Sequence, residues 1–262
     1  MKKKLALILA VLMMISLLTA CGGKGTSLKD IQKAGKLVIA TSPDFPPFES
    51  LGADGSVEGI EIDLLNIICD KLGVELAIEQ MDFDSVLPGV QAGKFDVGVS
   101  GITVTEQRQK NVLFTDPYCL AAQAIVVTAD SPITCKADLE GKTVSVQTGT
   151  TAESFCNENG YKVSSFQANN DAQSAVVQGK VDAWVIDDLT AADMVKTYNA
   201  ENDKKLVVLE EPMTTEPYAL AMAFGSEDTV KKVNEILNKL LSDGTVAAIF
   251  EKYEAPFTSP KN

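Results

Sequence analysis

The sequence predicts an α/β fold with largely parallel sheets. Short apolar runs of strand length alternate with amphipathic stretches of helical period along nearly the whole chain. Glycine, proline, Asp and Asn mark the changes from one period to the other. No fixed-period repeat breaks this alternation, and 262 residues accommodate one large domain or two smaller ones.

Residues 36–40 read as a short strand. The next stretch, Thr41-Ser42-Pro43-Asp44-Phe45-Pro46-Pro47-Phe48-Glu49, is too rich in proline for a helix or a central strand, so it reads as a rigid loop presenting aromatic rings. After a turn at residues 52–55, Ile62, Leu65, Ile68, Cys69 and Leu72 recur at helical spacing and Gly73 ends the run. Val74, Leu76 and Ile78 then alternate as in a half-buried strand. Asp84 is a candidate N-cap for a helix ending at Gly93, residues 95–99 form a short buried strand, and Thr105 caps a short helix carrying Arg108. A long apolar strand covers residues 120–128, and a helical turn at 138–141 precedes a strand at 143–147. Thr148-Gly149-Thr150-Thr151 opens a helix running to about residue 158, and a helix start with Gly and hydroxyls favours anions. Strand 163–166, helix 171–178 and buried strand 181–186 follow, with Asp187 and Asp188 at the strand's end before a helix over 189–198. Residues 206–209 and 218–224 read as strands. Val230, Val233, Ile236, Leu237, Leu240 and Leu241 form an amphipathic helix ended by Gly244, and a last helix covers 246–253.

The chain begins Met1-Lys2-Lys3-Lys4, followed by an apolar run too short for a membrane span, which needs ~20 residues. A basic start before a short apolar core reads as a secretory signal, residues 1–20. Leu18-Thr19-Ala20-Cys21-Gly22 resembles the lipobox of bacterial lipoproteins, which implies lipidation of Cys21 and an extracytoplasmic protein tethered to the cell membrane through residues 21–27. The formal charge of −13 becomes more negative once the three leader lysines are removed. Such an acidic chain argues against nucleic acid. The absence of histidine excludes His-dependent triads and His-ligated metals, and no CxxC is present. No cofactor or metal is expected. Besides Cys21, the cysteines are Cys69, Cys119, Cys135 and Cys156, which allow three full pairings. Cys69 is expected buried and free, and Cys135 with Cys156 is the one candidate pair.

The candidate site begins at Ser100-Gly101-Ile102-Thr103, a loop of hydroxyls and backbone N–H groups at the end of a strand, where α/β sheets usually bind ligands. Arg108 follows with a planar fork suited to a carboxylate. Other landmarks are Gly59-Ile60-Glu61-Ile62-Asp63-Leu64, Met81-Asp82-Phe83, Lys94-Phe95-Asp96-Val97-Gly98-Val99, Thr105-Glu106-Gln107-Arg108, Phe114-Thr115-Asp116-Pro117-Tyr118, Gly149-Thr150-Thr151 and Val181-Asp182-Ala183. In this order and spacing, over residues 28–255, the chain resembles the polar amino-acid-binding proteins of ABC transporters, extracellular solute-binding family 3. The resemblance implies a two-lobed periplasmic-binding-protein fold of type II with two crossover strands as hinge. Lobe 1 would be 28–119 plus 217–262, and lobe 2 would be 120–216.

It further implies that Arg108 grips a ligand α-carboxylate, helped by Thr103, Thr150 and the N–H of Thr151. Ser100, or the backbone of Gly101, would accept from the α-ammonium, and Asp187 would pair with it, unless Asp187 is only a helix cap beside Asp188. Phe45 and Phe83 match aromatics that enclose the side chain. Ser42 stands where basic- and glutamine-binding relatives often carry Asp, and Ile186 and Ala152 replace polar groups. These departures favour a neutral amino acid, although Asp44 lies close enough to restore an acidic contact. The expected role is ligand capture by a monomer and delivery to a membrane permease, without catalysis. The alternatives are an enzyme on the same fold, resembling cyclohexadienyl dehydratases, and a ligand-sensing lipoprotein.

Overall fold

A computed structural model describes residues 25–260, so the expectations for the leader and for Cys21 lie outside the described residues. Among these residues no helix is long and apolar enough to cross a membrane. Helix α1 (Leu28–Ala34), capped by the Ser27 hydroxyl, leads into β1 (Lys36–Thr41). Three short strands, β2 (Asp44–Phe45), β3 (Glu49–Leu51) and β4 (Val57–Glu58), form a small antiparallel meander where the sequence suggested only a rigid loop and a turn. Then come α2 (Ile60–Leu72), β5 (Glu75–Gln80), α3 (Phe83–Gln91), β6 (Val97–Gly98), α4 (Glu106–Gln109) and β7 (Leu113–Phe114). The N-cap position of α3 is Asp82, not Asp84, which sits in the first turn.

The long strand expected at 120–128 is two elements, β8 (Cys119–Ala121) and β9 (Gln123–Thr128). After a short 3-10 turn at Lys136–Leu139 the chain forms β10 (Thr143–Gln147), α5 (Thr151–Glu158), β11 (Lys162–Phe166), α6 (Asn169–Val177), β12 (Ala183–Asp187), α7 (Asp188–Glu201) and β13 (Leu206–Val208). Residues 218–224 also divide: β14 (Glu216–Tyr218) pairs with β8, and β15 (Ala221–Met222) joins another sheet. Helices α8 (Glu227–Ser242) and α9 (Thr245–Lys252) close the chain.

Two five-stranded sheets result, ordered β5-β1-β6-β15-β7 and β11-β10-β12-β9-β13. In the first, β1 runs parallel to β5 and β6, and β15 runs antiparallel to β6 and β7. In the second, β10 runs parallel to β11 and β12, and β9 runs antiparallel to β12 and β13. The antiparallel pair β8–β14 carries the chain from one sheet to the other and back. The β1 and β6 ends lead to Ser42 and Ser100, and the β10 and β12 ends lead to Gln147 and Asp187. Each sheet therefore contributes the C-terminal ends of two adjacent parallel strands, the usual ligand position in such sheets.

The first sheet buries α2 through Leu64, Leu65 and Ile68, and α8 and α9 through Leu237, Leu240 and Phe250. Helical period puts these residues on single faces. The four described cysteines are free, so the candidate Cys135–Cys156 bond is absent; Cys156 is on the buried face of α5.

Leu65 is fully buried. Leu65→Ala should lower unfolding free energy in urea by about 2–5 kcal/mol, because the cavity left in a close-packed layer does not collapse. A loss below 1 kcal/mol would remove this position from the core.

Candidate functional site

Arg108 is placed by local hydrogen bonding before any ligand is considered. Thr105 caps α4, its hydroxyl accepting the Arg108 N–H at 3.1 Å. The guanidinium turns inward: Nη1 donates to the Thr103 carbonyl at 3.0 Å and Nη2 to the Gly149 carbonyl at 3.2 Å. Thr103 belongs to the first-sheet side and Gly149 follows β10, so this one side chain bridges the two sides. Its plane covers the Phe83 ring at 5.7 Å. Burial lowers the Arg108 pKa, while the carboxylates of Glu216 and Asp187 push it back up.

Asp187 ends β12 and is 7% exposed. It occupies the N-cap position of α7 but makes no capping hydrogen bond. That work falls to Asp188, whose Oδ1 accepts the N–H groups of Leu189 at 2.8 Å and Ala122 at 3.2 Å. Asp187 instead accepts from Gln123 Nε2 at 2.8 Å. Burial first, then the nearby Glu216 carboxylate, push its pKa up to about 8, against the lowering effect of Tyr218 and Gln123. The buried Tyr218 hydroxyl is near enough to exert that pull, yet its geometry is not that of a formed hydrogen bond.

Between these groups lies a small, nearly closed cavity, which Arg108 and Asp187 both line. Thr103, Ser100, Gly101, Thr150, Thr151, Phe45 and Phe83 also reach it, so nine of the ten sequence-derived candidates converge there. Ser42 does not. It lies behind the wall, where its hydroxyl donates to Asp44 at 2.9 Å. Ile186 and Ala152, expected near the ligand side chain, are buried in apolar packing away from the cavity. For Ile186 the reason is strand alternation: its neighbour Asp187 faces the cavity, so it faces the other way.

The hydroxyls of this site largely serve the protein itself. Ser100 Oγ donates to Glu49 at 2.7 Å and accepts the Ser42 N–H at 3.2 Å. The Gly101 N–H donates to Glu61 at 3.0 Å. Thr150 Oγ1 donates to the Gln147 carbonyl at 2.7 Å and accepts the Glu153 N–H at 3.2 Å, capping α5. Gly101 has φ of +53°, and a Cβ there would stand 2.5 Å from the Phe45 ring, so glycine is required.

Sequence reading missed three residues. Gln147 lines the cavity from the end of β10. Gln123 holds Asp187 and also donates to Thr151 Oγ1 at 3.3 Å. Glu216 is buried at the start of the crossover strand β14, accepting from Thr214 at 2.7 Å. A signal existed for Gln123, a lone amide in a run of apolar residues. Gln147 and Glu216 gave none, because only the fold brings them to the cleft. Among the described residues no group of His, Cys, Asp and Glu is arranged to hold a metal ion.

Two α/β sheets joined by a pair of crossover strands, with a charged cavity between them, define a two-lobed binding protein of the periplasmic-binding-protein fold. The chain belongs to the bacterial extracellular solute-binding proteins, family 3, whose profile matches residues 37–256. It is 31% identical over 266 residues to the arginine-binding extracellular protein ArtP of Bacillus subtilis, covering 100% of both chains. It is 29% identical over 230 residues to the L-cystine-binding protein TcyJ of Escherichia coli K12, covering 86% of this chain and 85% of the relative. A mutant of the T. maritima protein ArgBP superposes with a TM-score of 0.82 at 37% identity, covering 87% of this chain and 99% of the other. These relatives are named as binding proteins.

The Asp187 pKa gives a testable sign. A folded-state value near 8, against an ordinary 3.8, makes the ligand-free fold most favourable at low pH. That contribution is lost as pH rises towards 8. Asp187→Asn should therefore raise the melting temperature of ligand-free protein more at pH 8.5 than at pH 5. An equal change at both pH values would show that the carboxylate is not desolvated.

Proposed function

We propose that this chain captures a free amino acid with a neutral side chain between two lobes, residues 28–119 plus 217–262 and residues 120–216, and delivers it to an ABC permease. In this reading lipid on Cys21 tethers the protein outside the cytoplasm, and no chemistry is performed on the ligand. The observation that supports it is the presence of an arginine and a buried carboxylate in one cavity. A zwitterion presents one charge to each, with Arg108 and the N-terminus of α5 taking the α-carboxylate and Asp187 taking the α-ammonium. Binding of the ammonium replaces the proton that burial otherwise favours on Asp187.

The preference for a neutral side chain rests on what remains. Asp44, the acidic group nearest the Phe45 end, already accepts hydrogen bonds from Asn169, Gln147 and Ser42. The polar group left facing the cavity is the amide of Gln147, held by its own neighbours. A cationic side chain would meet no unpaired carboxylate there, whereas a neutral or sulfur-containing one would rest against Phe45 and Phe83.

The test is a thermal-shift screen against the common amino acids and cystine. A ligand at a hundred times its dissociation constant adds about 2.7 kcal/mol of stability. A clear shift with neutral amino acids and none with lysine or arginine is expected; the reverse pattern would overturn the side-chain assignment. Arg108→Ala should weaken binding at least tenfold, since a charge-assisted bond contributes roughly 1.5–3 kcal/mol. Affinity within threefold of wild type would remove Arg108 from the site. Asp187→Asn should weaken amino acids more than their deaminated analogues, and equal losses would detach Asp187 from the ammonium.

A further inference from the structure

Helix α6 starts without a cap of its own. Its N-cap residue is Ala168, whose methyl group accepts nothing, and no side chain of its own segment satisfies its first turn. The acceptor comes from the other side of the cleft. Asp44, in β2 of the small meander beside the first sheet, accepts the Asn169 N–H on Oδ2 at 2.7 Å. The same carboxylate accepts from Gln147 Nε2 at 3.1 and 3.3 Å, and from Ser42 Oγ at 2.9 Å. Gln147 is locked in turn, donating to the Gln167 carbonyl at 3.0 Å and accepting from Asn169 Nδ2 at 3.1 Å. Asp44 does not line the cavity, whereas Gln147 does. A carboxylate has about four lone-pair positions, and these contacts use them. When ionised it also brings negative charge to the positive end of a nine-residue helix, against the burial that raises its pKa.

We propose that Asp44 is a helix cap supplied in trans, formed as the lobes close and broken as they open, and that it determines ligand affinity without touching the ligand. This rests on the reading that the two lobes open and close around an amino acid. Three consequences follow from the geometry. Closure satisfies the Asn169 N–H with a charged acceptor where the open form offers only water, so Asp44 stabilises the closed state. The closed state also orients Gln147, fixing which face of its amide meets the cavity; Asp44 is thus a positioning residue for the side-chain end. Finally, α6 needs no capping residue in its own sequence, which accounts for alanine at position 168.

The test uses Asp44→Ala and Asp44→Asn in the mature chain, with L-cystine, L-glutamine and L-arginine as probes. Amide exchange at Asn169 is measured without ligand and again with whichever probe gives a thermal shift, because closed protein carries the cap. In the liganded protein it should be at least tenfold faster in Asp44→Ala than in wild type, with Asp44→Asn, which keeps a neutral acceptor, in between. Stopped-flow binding of whichever probe gives a thermal shift should then show dissociation at least tenfold faster with association unchanged. Equal exchange at Asn169 in all three liganded proteins would overturn the trans cap. A slowed association with unchanged dissociation, or a loss confined to L-arginine, would overturn it differently, by placing Asp44 on the ligand. If no probe binds wild type but Asn169 exchange still depends on Asp44, the capping stands and the ligand reading falls.

Discussion

A carboxylate removed from water needs a compensating charge or a proton, and Asp187 at the end of β12 imposes that requirement on everything around it. Gln123 leaves the apolar pattern of its strand to give Asp187 a hydrogen bond. Glu216, buried nearby, adds negative potential that raises the proton affinity of Asp187 and supports the charge on Arg108. Arg108 lies across the same cavity, tied to carbonyls from both sides of the cleft. The result is a space with a positive side and a side that lacks a cation. Its chemistry is defined before any particular ligand side chain is considered.

Behind the cavity, a second pair of acids does a different job. Glu49 and Glu61 are both 0% exposed. Burial, and then the neighbouring Glu61 carboxyl, raise the Glu49 pKa well above the ordinary carboxylate range, because the core disfavours a second charge there. Together they accept from Ser100 Oγ, the Gly101 N–H and, at 2.6 Å, the Tyr118 hydroxyl. Loop 100–103 is therefore held from inside by its own polar groups. What it offers the cavity is chiefly shape and main chain, and the absence of a Cβ at Gly101 lets Phe45 pack against it.

The same division of labour explains why hydroxyls are poor guides to ligand contact in this fold. Thr105 and Thr150 cap helices, Ser42 holds the half-buried Asp44, and Ser100 fastens a strand end to the buried Glu49. Each fixes the position of a group that does face the cavity. Such inner contacts keep the site in one geometry, which reduces the ordering entropy that binding must offset.

The sequence by itself determined the alternation of strands and helices and the amphipathic faces of α2 and α8, whereas most residues around the cavity came from the resemblance to a known family. Period and spacing are local properties, and local properties are written in neighbouring residues. Arg108 after a small-residue loop suggested a carboxylate partner, and the family resemblance supplied its role. Other features belong to the tertiary structure alone. The splitting of residues 120–128 and 218–224 into crossover and sheet strands follows from which partner each half pairs with, and that is a long-range choice. Gln147 and Glu216 reach the cleft only through the facing of two sheets. Asp44 reads as a candidate ligand contact in sequence, yet it serves a helix that begins more than a hundred residues later. A hydrogen-bond acceptor carries no mark of its donor until the chain has folded, so the partners of buried polar groups were decided in three dimensions.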